Sequence, residues 1–382
     1  MDGSSIVSAA QREEAFESYL TLRSGHERPG RYWKIDLEAL ELTALEPSAD
    51  PECSRPVITA PKTRGLIVCD LVTAKRQHGE LFQRHFGSGV VIGSAKFAAL
   101  NKAFLTNGAF VYVPDGVSVS EPIVIEYSTG PTSAFPYTLV IAGEAARCTV
   151  VERLSGDSLL ICGVAEVVTA PNAQVSYASL QTLADRSRVL FTRYALPGQD
   201  AVVGLCLAEL GAALSVTDVV VRIERTGVQA EISALFFPSH RQHVDLATTV
   251  EHSTGRAQSH TLVKSAATGY GQGRYLGNIR IAPSAHGTEA ALKDDALLLS
   301  KTAHIDSVPA LEIAANDVKA FHGATVGAID ESVLFYMMSR GIERTAAEKL
   351  VTLGFFEPAI VRFPGESLRE QIRFALEPKI QA

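Results

Sequence analysis

The alternation of apolar and polar positions divides the chain into three textures. Up to residue 107, apolar residues recur at helical spacing in short stretches, Ala15, Phe16, Tyr19 and Leu20 in one and Phe97, Leu100 and Phe104 in another. Pro29-Gly30 ends the first stretch, and the aromatic segment from Arg31 to Leu37 is suited to packing this arm onto the body. Four prolines from Pro47 to Pro61 then read as a linker. From Gly108 the texture changes. Phe110–Val113, Ile123–Tyr127 and Thr138–Ile141 are short β-rich runs separated by glycine or proline turns. Beyond residue 325 helical spacing returns. Asp330-Glu331 place negative charge at a helix start, Leu334, Phe335 and Met338 share a face, and Arg340-Gly341 closes the segment. Two more helices are predicted over Thr345–Leu353 and Leu368–Leu376.

Within the β-rich region, six segments begin with an alanine two or three residues after a glycine or proline. They start at Ala146, Ala173, Ala201, Ala230, Ala257 and Ala285, at intervals of 27, 28, 29, 27 and 28. A near-constant period without helices favours a solenoid over a sandwich, each coil filling the interior with alternate residues of runs such as Val219–Ile223 and Glu231–Phe236. The predicted fold is therefore mainly β: a right-handed parallel β-helix over residues 108–325, an N-terminal helical arm and linker over 1–107, and a C-terminal helical domain over 326–382.

Composition narrows the function. The 382 residues are 46% hydrophobic, enough for a large core. A net charge of −7 and pI ≈ 5.8 argue against a broad nucleic-acid-binding face. Five scattered cysteines form no C-x-x-C pair and no disulfide framework. The N-terminus lacks the apolar core of a signal peptide, and no apolar run approaches the ~20 residues of a membrane span. Together these point to a cytoplasmic protein.

Several residues bear chemistry. His322 stands near Gly323 and Gly327, which leave it exposed at a tight turn. An imidazole there suits iron or a nascent cluster, and equally suits a helix cap. His240, His243, His252 and His260, with Asp245 and Glu251, fall across two coils without zinc-site spacing. Asp294-Asp295, with His286 and Glu289, resemble the carboxylate clusters of polysaccharide-cleaving β-helices, though a polar turn explains them as well. There is no P-loop and no Gly-x-Ser-x-Gly elbow, and the glycine-rich turn Gly269–Gly273 precedes no helix.

An ordered series over about residues 245–355 is similar to the core of the SufB/SufD family of iron–sulfur cluster assembly scaffolds. Its elements are Asp245 and His252, Ser259 and Lys264, Gly273–Ile279, Leu297–Ser300, Pro309–Ile313, Asp317–Lys319, His322–Thr325 and Leu334–Gly341. Within the family the chain resembles the SufD type, because it has no match for the cluster-ligating cysteine of SufB. It also carries Ala320 where members commonly place a cysteine after Asp-Val-Lys. The resemblance implies a non-enzymatic scaffold subunit with a SufB-like partner on the β-helix edge and a SufC-like ABC ATPase on the C-terminal helices. It leaves a homodimer open when SufB is absent. It implies that Leu334, Phe335, Tyr336, Met338 and Arg340 meet the ATPase. His322 would ligate metal at the SufB interface, where iron or an iron–sulfur cluster is held transiently and none tightly by this chain alone. The alternatives are a β-helix carbohydrate-active enzyme and a stand-alone metal-binding module.

Overall fold

In a computed structural model of the chain, residues 5–22, 35, 40, 42, 54–90 and 96–380 are described. The predicted stop at Pro29-Gly30, most of the aromatic segment and the first part of the proline-rich stretch lie outside them.

Two long sheets are built by alternating strands. One runs β1 (Val57–Thr59), β4 (Ile123–Thr129), β7 (Arg147–Gly156), β9 (Gln174–Gln181), β11 (Val202–Glu209), β13 (Gln229–Phe236), β15 (Gln258–Ala267), β17 (Thr288–Leu298), β19 (Val318–Ala328). The other runs β2 (Ile67–Asp70), β3 (Gly108–Val113), β6 (Tyr137–Ala142), β8 (Leu160–Thr169), β10 (Arg188–Leu196), β12 (Leu214–Ile223), β14 (His243–His252), β16 (Gln272–Ile281), β18 (His304–Ile313), with β5 (Ser133–Ala134) beside β8. Each coil gives one strand to each sheet, and neighbours from β3 and β4 onward pair in parallel. This is the expected parallel β-helix. Parallel pairing follows from the connectivity, since the chain always returns in the same direction one coil further on.

The corners explain the alanine period. Ala145, Asn172, Asp200, Gly227, Arg256 and Gly287 all adopt positive φ, between 55° and 74°. The residue after each, namely Ala146, Ala173, Ala201, Val228, Ala257 and Thr288, is fully buried. The sheet register advances by 27, 28, 27, 29 and 31 residues between those coils. The tight left-handed corner leaves little room behind it, so small side chains dominate the next position. Ala230 and Ala285 are not members of this ladder. Val228 and Thr288 take their places, and the last coils are longer than the sequence spacing implied.

Between the sheets lies one continuous apolar core, from Ala109 to Ala315. The N-terminal segment contributes more than helices. Helices α1 (Ala9–Thr21), α2 (Leu71–Gln77), α3 (Gly79–His85) and α4 (Lys96–Phe104) cover the outer face of the second sheet. Strands β1 and β2 pair antiparallel with β4 and β3 and so cover the first coil. At the other end α5 (Glu331–Ser339), α6 (Arg344–Ile360) and α7 (Glu366–Ile380) follow. Phe356, Ile360, Ile372 and Leu376 of α6 and α7 bury the outer face of the first sheet against Leu180, Ala208 and Leu235.

Candidate functional site

His322 does not sit in a turn. It lies mid-way along the eleven-residue strand β19, whose only sheet neighbour among the described residues is β17. From sequence Gly323 and Gly327 suggest a turn, because glycine weakens strand interiors. In a terminal edge strand, glycines serve instead where no further coil packs on them; a Cβ at either would meet nothing within 4 Å.

Register fixes the direction of His322. Parallel partners share a face, and the row Ile123, Val150, Tyr177, Leu205, Ile232, Thr261, Leu292 ends in His322. All but Thr261 and His322 belong to the interior core, so the imidazole occupies the lumen side of an open last coil. Residues 321–328 are exposed throughout, with Phe321 at 62%.

One row along, Ile125, Glu152, Ser179, Leu207, Ala234 and Val263 lead to Asp294 and then Ala324. Asp294 is fully buried; Ser307 Oγ donates to its Oδ2, and burial pushes the carboxyl up to about 7. Its neighbour Asp295 projects from the opposite face. Burial works against its ionisation, but hydrogen bonds from Lys264 Nζ (2.8 Å) and Thr325 Oγ1 (2.7 Å) hold its pKa below the usual carboxylate value. The two carboxylates therefore do not face one another as an acid–base couple. Glu289 pairs with Lys319 at 2.7 Å on the surface.

The Asp295 contacts join three elements. Thr325 belongs to the His322 strand, Lys264 to β15, and the Lys264 ammonium lies 4.4 Å from the Phe355 ring centroid on α6. A polar link thus runs from β19 to the C-terminal helices. In sequence Asp294-Asp295 reads as one cluster; strand alternation over β17 separates the two.

Helix α5 is weakly anchored. Asp330 caps it by accepting from Ser332 N at 2.8 Å, and Arg344 ties Glu331 to α6 at 2.7 Å. Leu334 is its single buried residue, so this side chain is spent on packing. Phe335 (74% exposed), Tyr336 (60%) and Met338 (43%) face outward, and the Arg340 guanidinium lies 5.2 Å from the Tyr336 ring centroid. Between α5, α6 and the end of the first sheet is a cavity of about 560 Å³, lined by Ala328, Leu334, Arg344 and Glu348 among others.

The four histidines of the 240–260 stretch do not gather. His240 occupies a positive-φ corner, His243 and His252 sit at opposite ends of β14, and His260 is exposed on the other sheet. His252 is buried, with Nε2 2.9 Å from Ser259 Oγ, and burial lowers its pKa to about 4. Among the described residues, no three His, Cys, Asp or Glu side chains come close enough to hold a metal ion. No helix among them is long and apolar enough to cross a membrane.

Fold and site together define a parallel β-helix with a covered first coil, an open last coil carrying a histidine, and a partly unpacked helix beside it. Two family models match this chain: the SufBD core domain of SUF-system FeS cluster assembly over residues 124–355, and the SufBD N-terminal region over 57–125. The chain belongs to the SufBD family of iron–sulfur cluster assembly proteins. It is 29% identical over 332 residues to the iron–sulfur cluster assembly protein SufD of Bacillus subtilis, covering 84% of this chain and 75% of that protein. It is 28% identical over 326 residues to a SufBD family protein of Staphylococcus epidermidis, covering 83% and 70% respectively.

Proposed function

We propose that this chain is a SufD-like, non-catalytic subunit that joins a SufB-like scaffold and a SufC-like ABC ATPase, with a part in iron entry. The observation that carries this reading is the placement of His322 on the uncovered last coil, beside a helix that leaves three large apolar side chains in solvent. An open edge strand offers unpaired backbone groups to a partner. An exposed aromatic and methionine cluster next to an arginine has the composition of an interface hot spot. With Ala320 in the place of a thiol, His322 contributes imidazole and the partner supplies the thiolate. The Thr325–Asp295–Lys264 link gives motion of the C-terminal helices a route to the His322 strand.

Co-expression with SufB-like and SufC-like chains tests the reading. Removing residues 330–382 would strip the cover from Leu180, Ala208 and Leu235, so point substitutions are the cleaner probe. Phe335→Ser with Met338→Ser is expected to abolish ATPase co-purification without lowering the melting temperature. His322→Ala is expected to leave the complex assembled but to lower cluster maturation. ATPase binding that survives the double substitution, or full maturation with His322→Ala, contradicts the proposal.

A further inference from the structure

A second cavity, of about 420 Å³, lies between the N-terminal helices and the outer face of the second sheet. Its floor is apolar and aromatic. Phe82, Ala98 and Val164 are buried there. The Phe86 ring stacks on Phe82 with centroids 4.8 Å apart and lies 4.8 Å from the Tyr137 ring.

The polar part of the lining is cationic. Lys75 and Lys102 both line the cavity, and among the described residues no aspartate or glutamate does. The Lys75 ammonium donates to the carbonyls of Ser5 at 2.7 Å and Ile6 at 3.2 Å, so its charge is held at the wall without a counter-ion. Lys102, half-buried on α4, has no hydrogen-bond or ion-pair partner among the described residues. The carboxylate behind the wall does not balance them. Glu166 is fully buried and accepts from Gly87 N and Gly89 N at 2.8 Å each, from Val90 N at 3.2 Å and from the Tyr137 hydroxyl. All four donors are neutral groups. They fix the backbone at Gly87 and Val90 and the ring of Tyr137, which are themselves parts of the lining. The result is a preorganised aromatic space of small-molecule size with an uncompensated positive charge beside it.

We propose that this cavity binds an aromatic monocarboxylate, its ring system lying against Phe82, Phe86 and Val164 and its carboxylate pairing with Lys102. Aromatic walls favour a flat apolar body, and an ammonium without a partner favours a single anionic group at its edge. Such a ligand would touch the N-terminal helices and the sheet together and tie the arm to the solenoid. The proposal is independent of the scaffold reading above.

Isothermal titration calorimetry of the full chain with 2-naphthoate tests it, with naphthalene-2-carboxamide as the uncharged ligand of the same shape. One site of submillimolar affinity is expected for the acid, and binding of the amide weaker by about tenfold or more. Lys102→Met is expected to lower the affinity for the acid to that of the amide. Ala98→Leu, which fills the cavity, is expected to abolish binding of both. Thermal melting confirms folding, and if Ala98→Leu does not fold, Lys102→Met decides alone. Phe335→Ser with Met338→Ser is expected to bind as the native chain does. No binding at millimolar 2-naphthoate, equal affinity for acid and amide, or undiminished binding with Lys102→Met overturns the proposal. Binding lost with the α5 double substitution also overturns it, because the anion would then sit on the exposed cluster of that helix.

Discussion

The substitution Asp294→Asn isolates the energetic cost of a single lumen carboxyl. An aspartate has a pKa near 3.8 when solvated, and burial raises that of Asp294 to about 7. Between these values the folded protein binds a proton that the unfolded chain has released. Stability therefore falls as pH rises from 3.8 to 7, and the loss is complete above the folded pKa. Three pH units correspond to about 4 kcal/mol as an upper limit. Asparagine keeps an acceptor for Ser307 and carries no charge, but its amide puts an N–H group where Oδ1 now lacks a partner, which costs about 1–3 kcal/mol. The variant should be about 1–3 kcal/mol more stable than the native protein at pH 8. That advantage should vanish, or reverse by the amide's cost, at pH 4. Denaturant unfolding of both proteins at several pH values between 4 and 8 measures the difference, in which the other titrating groups cancel. Parallel pH profiles would refute the reasoning, because they would mean that Asp294 is ionised and stabilised throughout.

Two other perturbations follow from the same structure. Lys379 on α7 donates to Gln242 Oε1 at 2.6 Å and Ser239 Oγ at 3.1 Å, and burial lowers its pKa from 10.5 to about 8. The folded state disfavours the charged form, so stability should rise from pH 8 to 10.5 by up to about 3 kcal/mol, and Lys379→Met should lack that rise in pH-dependent unfolding. Leu334→Ala removes the only buried side chain of α5; it should raise amide exchange across residues 331–339 while leaving the global melting temperature nearly unchanged, since α5 opens as a local unit.

How much of this was legible in the sequence depends on the physics behind each feature. The β-helix was readable because its corners repeat. A residue at positive φ followed by a fully buried one recurs at one corner of six successive coils, and four of the six alanines mark it. The two misses, Ala230 and Ala285, occurred where valine and threonine fill the same slot, so a composition-based anchor slid by two or three residues. All three C-terminal helices are legible as helices, but α6 runs on to Ile360 and α7 spans Glu366–Ile380, well beyond the stretches that apolar periodicity marks. His322 was recognised as exposed but assigned to a turn, because glycine in a strand and glycine in a turn look alike until the neighbouring strand is known. Asp294 was missed as a separate group because adjacent acidic residues suggest a shared charge cluster. Only strand alternation, combined with knowledge of which face is the lumen, sends one inward and the other to the helices. Likewise, sequence spacing gave Leu334 and Phe335 equal weight, and packing alone separates the buried side chain from the exposed one.

The two ends of the solenoid are protected differently, and the contrast bears on where a partner attaches. At the first coil, β1 and β2 pair antiparallel with β4 and β3, so the edges that a parallel stack leaves open are occupied by the chain itself. At the last coil both β18 and β19 have no further strand beside them among the described residues. β18 carries devices that discourage pairing: Pro309 at mid-strand lacks an N–H donor, and His304, Asp306 and Glu312 place polar and charged groups along it. In β19 the only charged side chain is Lys319 at its start, and the run Phe321–Ala328 has none, while two glycines keep its backbone accessible. A protein under pressure to remain unpaired would guard both strands. Protection of β18 alone leaves the strand that bears His322 as the pairing-competent edge, so the proposed SufB-like contact and His322 fall on one strand. Backbone pairing along β19 would then fix the position of the imidazole and cover the open end of the lumen in the same step.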